Sequence, residues 1–207
     1  MESSKIKPML TERQYLSIER ASLERHYYID GEMVAMAGES KHHGIVSTNL
    51  VGLLHSSLRG KPCMALTKDT KVRSGPNPKR LPGSKGLYSY PDLVVVCGEP
   101  EYLDEHEDVL LNPTVVIKVL SPSTKSFDRG EKFKRYQEWN PTLSDYMLVS
   151  PEQVQVEHFQ RQMDGAWSFL RWTSLDSAVS IFSIECVLAL SDIYERTEFT
   201  KKKKRRT

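Results

Sequence analysis

Residues 115–124 read VVIKVLSPST. The run is apolar and β-branched, as in a central strand covered on both faces, and Ser-Pro-Ser-Thr ends it. Lys118 stands in its middle. Lysine is almost never fully buried unless it is paired. A fold that places this strand at its centre must therefore give Lys118 an anionic partner, or a path for its head group to water.

The flanking pattern points to an α/β fold, an α+β arrangement with a mixed sheet. Thr11 opens a short helix whose apolar side is Tyr15, Leu16, Ile18 and Leu23. HYYIDGEMVAMAG sets two apolar runs around Asp30-Gly31, a strong hairpin signal. Ser40 caps a helix running to about Leu58, with Ile45, Val46, Leu50, Leu53, Leu54 and Leu58 on a helical period. Gly60 and Pro62 stop it. Short strands are expected at 63–66 and 69–73, then a surface loop, SGPNPKRLPGSKG. PDLVVVC (91–97) is a second buried strand, and GEPEYLDEHED an acidic connection. A helix is expected at 126–139, a strand at 145–150, and an antiparallel hairpin from VQVEHF and AWSFLRW around Met163-Asp164-Gly165. A last short helix covers 189–196. Residues 1–10 read as a loose arm, 11–199 as one domain and 200–207 as a basic, disordered tail.

The formal net charge is +2, and the basic run 201–206 accounts for more than all of it. The body is thus slightly acidic, and bulk charge does not by itself announce a nucleic-acid binder. The tail either adds salt-dependent affinity for DNA or is simply a solvated end. Cys63, Cys97 and Cys186 are odd in number and far apart, which is not a zinc pattern. They read as thiols of a reducing, cytoplasmic compartment, Cys97 being a buried one. No apolar run approaches the roughly 18 residues of a membrane span, and MESSKIKPML lacks the apolar core of a signal peptide. His26, His55, His106 and His158 show no metal-ligand spacing. His42 and His43 begin the long helix, where they face the surface or touch phosphate. Tyr27, Tyr28, Trp139 and Trp167 are expected in the core.

The chemistry gathers in the middle of the chain. Asp92 follows Pro91 at the start of one buried strand, and Lys118 lies at similar depth on the next. The following helix carries Asp128, Lys132 and Tyr136 at four-residue steps, hence on one face. With Tyr136 facing the sheet, Lys132 lies about 40° from it and Lys134 about 160°, so Lys132 is the lysine that reaches inward. Plainer readings stand beside these. Asp92 can be a turn residue at a strand start. Lys118 can snorkel, and Asp128–Lys132 can be an exposed helix pair of little energetic weight. Ser126 or Thr124 can serve only as a helix cap.

YIDGEMVAMAG, YPDLVVVCGEPE, LLNPTVVIKVLSPSTKSFDRGEKFKRYQ and YMLVS together resemble the Uma-two family of endonucleases, within the PD-(D/E)XK nuclease superfamily. The resemblance runs from about Thr11 to Phe199. It implies a restriction-endonuclease-like core and hydrolysis of phosphodiester bonds in nucleic acid, DNA above all, with Mg²⁺ or Mn²⁺ as cofactor. By the same resemblance Asp92 is a metal ligand, and Lys132 assists the attacking water or the scissile phosphate. The superfamily's usual lysine position is Leu120 here.

This chain departs from the family pattern, vEvLSPST, at a ligand: Lys118 stands where the family has Glu. An ammonium only donates hydrogen bonds and cannot ligate a cation. Lys118 is therefore expected to pair with Asp92 and weaken the enzyme. Glu32, an acid position in the family motif, and Asp69 are the acids expected to compensate if they converge on Asp92. Ser121, Asp128 and Tyr136 are expected to support the site. The alternative is an inactive nucleic-acid-binding or assembly protein, with a homodimer through the C-terminal hairpin as one form.

Overall fold

The computed structural model describes residues 9–76, 85–197 and 199. Most of the expected arm, the tip of the SGPNPKRLPGSKG loop and the basic tail lie outside the described residues. The elements are α1 (Glu12–Ala21), β1 (His26–Ile29), β2 (Glu32–Ala35), α2 (Lys41–Ser57), β3 (Cys63–Thr67), β4 (Lys71–Ser74), β5 (Leu87–Ser89), β6 (Leu93–Cys97), β7 (Val109–Leu110), β8 (Val115–Val119), α3 (Lys125–Arg129), α4 (Glu131–Trp139), β9 (Asp145–Val149), β10 (Val156–Arg161), β11 (Trp167–Trp172), β12 (Ala178–Ile181), β13 (Cys186–Ala189) and α5 (Leu190–Ile193). A 3-10 turn, Phe182–Ile184, separates β12 from β13.

The fold is mixed α/β. A six-stranded sheet has the order β11-β10-β9-β8-β6-β3, a five-stranded sheet the order β2-β1-β5-β4-β7, and β12 pairs with β13 alone. In the larger sheet β8 and β9 are parallel, while β6 is antiparallel to β8. Strand β8 is therefore central, as its composition requires. Its odd residues Val115, Ile117 and Val119 pack with Val46, Leu50 and Leu54 of α2. Val116 and Leu120 point the other way, towards Phe133 and Tyr136 of α4. Strand alternation thus puts Lys118 on the α3–α4 face of the sheet.

Local signals explain most elements. Thr11 and Gln14 form a capping box on α1, and the Ser40 side chain caps α2. The β1–β2 turn needs two left-handed residues, which Asp30 (φ 48°) and Gly31 (φ 100°) supply. The expected single helix at 126–139 is two, because Gly130 (φ −106°, ψ −101°) leaves the helical region between α3 and α4. The expected strand at 69–73 begins only at Lys71, leaving Asp69 in the preceding turn. Trp139 is partly exposed rather than core.

The cysteine reading needs correction. Cys63 and Cys97 are direct partners across β3 and β6 and form a disulfide, so Cys97 is not a free thiol. Their 34-residue separation concealed the pairing. Cys186 is a buried free thiol. The argument for a reducing compartment from unpaired thiols therefore falls away. Among the described residues no helix is long and apolar enough to cross a membrane.

Candidate functional site

The site lies where β6 begins and β8 ends. The register Leu93↔Ile117 brings Asp92, just ahead of β6, opposite Lys118. Pro91 has no N–H to give to the ladder, and next to it the Asp92 carboxylate accepts from the β8 backbone. The Asp92 N–H donates to Ile117 O at 3.1 Å, and Val119 N–H donates to Asp92 Oδ2 at 2.7 Å. Lys118 Nζ lies 2.8 Å from the same oxygen, the two side chains being 12% and 4% exposed. The nearly buried lysine is paired, and its partner is the acid of the neighbouring strand.

The other oxygen of Asp92 faces α2. His43 Nε2 lies 3.2 Å from Asp92 Oδ1 and 3.2 Å from Val119 O. His43 is buried against the sheet rather than at the surface, which corrects the sequence expectation. The signal was present: His43 lies three and seven residues before Val46 and Leu50 and shares their buried face. Glu39, one turn earlier, places Oε2 3.5 Å from His43 Nδ1. Glu39, His43 and Asp92 form a group that can hold a metal ion, one ligand atom of each lying within 4.8 Å of the others.

A second pair sits above the first, on α3 and α4. Lys132 Nζ bonds the Asp128 carboxylate, both groups being buried. This is not the exposed helix pair of the plainer reading. Thr124 does not cap α3 with its side chain. Its hydroxyl instead donates to Asp128 Oδ2 at 2.7 Å, and Ser121 Oγ lies 2.7 Å from Thr124 Oγ1. Tyr146 Oη donates to the Asp128 carbonyl at 2.9 Å. The Ser-Pro-Ser-Thr segment thus ends the strand and orients Asp128. Tyr136 is buried in the core and shares a 2.8 Å hydrogen bond with Ser89.

Burial pushes the Lys132 pKa down, Asp128 opposes this, and the positive charge of Lys118 lowers it further, so Lys132 holds its proton less tightly than an ordinary lysine. For Asp92, burial pushes the pKa up, but the His43 hydrogen bond and the Lys118 charge outweigh it, and the net shift is downward. Asp108, desolvated but bonded to Arg20 and Lys71, falls to about 2. Folded values below the ordinary 3.8 mean that both carboxylates add stability above that pH, which is lost as pH falls through the folded values. Thermal melting is therefore expected to fall steeply below about pH 4, and a melting temperature unchanged from about pH 6 to about pH 3 would contradict it.

The structure does not bring the expected compensating acids together. Asp69 is 82% exposed and lies 3.6 Å from Arg25. Glu32 is exposed on β2 and, among the described residues, has no hydrogen bond or ion pair with Asp92. Burial, with the charges of Asp128 and Glu32, raises the Tyr27 pKa.

The family model described as "Putative restriction endonuclease", Uma2, matches residues 13–189. The chain belongs to the Uma2 family. "Uncharacterized protein slr1290" of Synechocystis sp. is 33% identical over 93% of this chain and 95% of its own length. "Uncharacterized protein sll1609" of the same organism is 30% identical over 77% of this chain and 85% of its own. Among solved structures, one described as "a putative nuclease belonging to DUF820" from Anabaena variabilis superposes with a TM-score of 0.70. It is 16% identical, and the match covers 89% of this chain and 97% of that one. That likeness shows a shared fold.

The Mg²⁺ implied by the family does not fit Asp92 as it stands. A carboxylate offers about four lone-pair positions, and here Val119 N–H, Lys118 and His43 address three of them. Mg²⁺ demands near-octahedral oxygen coordination, while the group facing Asp92 is an ammonium.

Proposed function

We propose that this Uma2 protein is a nuclease-fold protein directed at nucleic-acid phosphodiesters, DNA above all, with hydrolysis weakened by Lys118. The observation that carries the reading is the 2.8 Å pair between Lys118 and Asp92, at the position where the family pattern has a second carboxylate. The ammonium neutralises Asp92 from within the chain. Asp92 is then spent on holding Lys118, His43 and the end of β8 in place. Lys132, with its loosened proton, remains the group suited to move a proton at, or place a charge beside, a bound phosphate.

Two assays on the unaltered chain test this. In EDTA at low salt it should retard duplex DNA, and rising salt should weaken that binding, as phosphate contacts require. With Mg²⁺ it should leave supercoiled plasmid essentially uncut. Failure to retard DNA would overturn the substrate class, and brisk Mg²⁺-dependent nicking would overturn the role given to Lys118.

A further inference from the structure

Glu39 lies just before the Ser40 cap of α2, and His43 and Ser47 follow one turn apart on the helix itself. The buried His43 ring has two different neighbourhoods. Its Nε2 lies 3.2 Å from two oxygens, the Asp92 carboxylate and the Val119 carbonyl. A carbonyl can only accept, so Nε2 carries a proton. In the neutral ring this leaves a lone pair on Nδ1. Around Nδ1 are Glu39 Oε2 at 3.5 Å and the Ser47 hydroxyl at a long 3.4 Å. The other Glu39 oxygen is taken by Lys68 at 3.1 Å. Glu39 is partly exposed, so this side of the ring opens towards solvent.

A lone pair beside a carboxylate, on a ring whose opposite N–H is tied to a second carboxylate, is how proteins hold a metal-binding histidine. We infer that the chain binds one divalent transition ion of the zinc class through His43 Nδ1 and Glu39, with Asp92 holding the ring from behind. Water fills the remaining positions. An imidazole donor suits zinc, whereas Mg²⁺ prefers oxygen ligands throughout. Lys118 does not stand in the way, because it occupies the other oxygen of Asp92. The inference does not rest on the nuclease reading, although the two sites share Asp92.

Calorimetric titration of the tag-free protein with ZnCl₂, and separately with MgCl₂, tests the inference. One Zn²⁺ per chain should bind, at least about tenfold more tightly than Mg²⁺. Glu39→Ala and His43→Ala should each weaken Zn²⁺ by at least about tenfold. His106→Ala, at an exposed histidine, should leave it unchanged. Co²⁺ should give visible absorption bands that vanish in His43→Ala. Circular dichroism and melting identify any variant that fails to fold. If His43→Ala does, Glu39→Ala, at a partly exposed side chain, decides alone. Zn²⁺ affinity untouched by Glu39→Ala, its loss in His106→Ala, or Mg²⁺ binding as tightly as Zn²⁺ would each overturn the site.

Discussion

Lys118→Glu is expected to raise Mg²⁺-dependent plasmid nicking by about a hundredfold or more over the unaltered chain. The register Leu93↔Ile117 sets residue 118 opposite Asp92, so a carboxylate there faces a second one across adjacent strands. Two facing acids repel each other without a cation and together supply the oxygen ligands that Mg²⁺ needs. The variant should therefore melt below the unaltered protein in EDTA and recover when Mg²⁺ is added. Ligand at about 100 times its dissociation constant adds about 2.7 kcal/mol. Lys118→Met separates the explanations. It removes the ammonium without adding a ligand, and should cut no better than the unaltered chain. Adding Lys132→Ala to Lys118→Glu should abolish the gain. Nicking by Lys118→Met equal to that by Lys118→Glu would mean that relief of charge, not a restored ligand, had opened the site.

The strand at the heart of this argument was legible because an apolar, β-branched run has few other uses, and because a lysine inside it demands a partner. That demand called for an anionic partner; Asp92 was named as that partner from the family resemblance, and the register that sets the two opposite is a tertiary property. Lys132 was separated from Lys134 by helix geometry alone, and Lys134 is indeed exposed. Other features were not readable. A helical pattern ran through Gly130, where the backbone nevertheless leaves the helical region. Strands β7 and β12 are too short, or too interrupted by Phe182–Ile184, to show a period. Asp69 looked available because it precedes a strand, but direction in space is not encoded by proximity in sequence. His43 is the instructive miss. Its step to Val46 and Leu50 marked it as inward-facing, yet polarity and nearness to the helix start outweighed the period. The exposed Glu39 carried no signal at all until His43 was placed.

Asp128→Ala is expected to destabilise the fold by about 3–5 kcal/mol, measured by urea or thermal unfolding near neutral pH. The substitution leaves the Lys132 ammonium buried beneath α3 without its counter-ion and takes an acceptor from Thr124. Two buried charges gain from each other only what they lose to desolvation, so the pair adds little net stability, while half of it is costly. The same reasoning predicts that Asp128→Leu combined with Lys132→Met recovers most of the loss, since both desolvated charges disappear together. Asp128→Asn should fall between, keeping a hydrogen-bond acceptor but not the charge. With that charge gone, burial and Lys118 act on Lys132 unopposed by Asp128, and its pKa should drop further. A double variant as unstable as Asp128→Ala would show that the cavity and the Thr124 contact dominate. Near-full recovery would show that the fold stands without the pair.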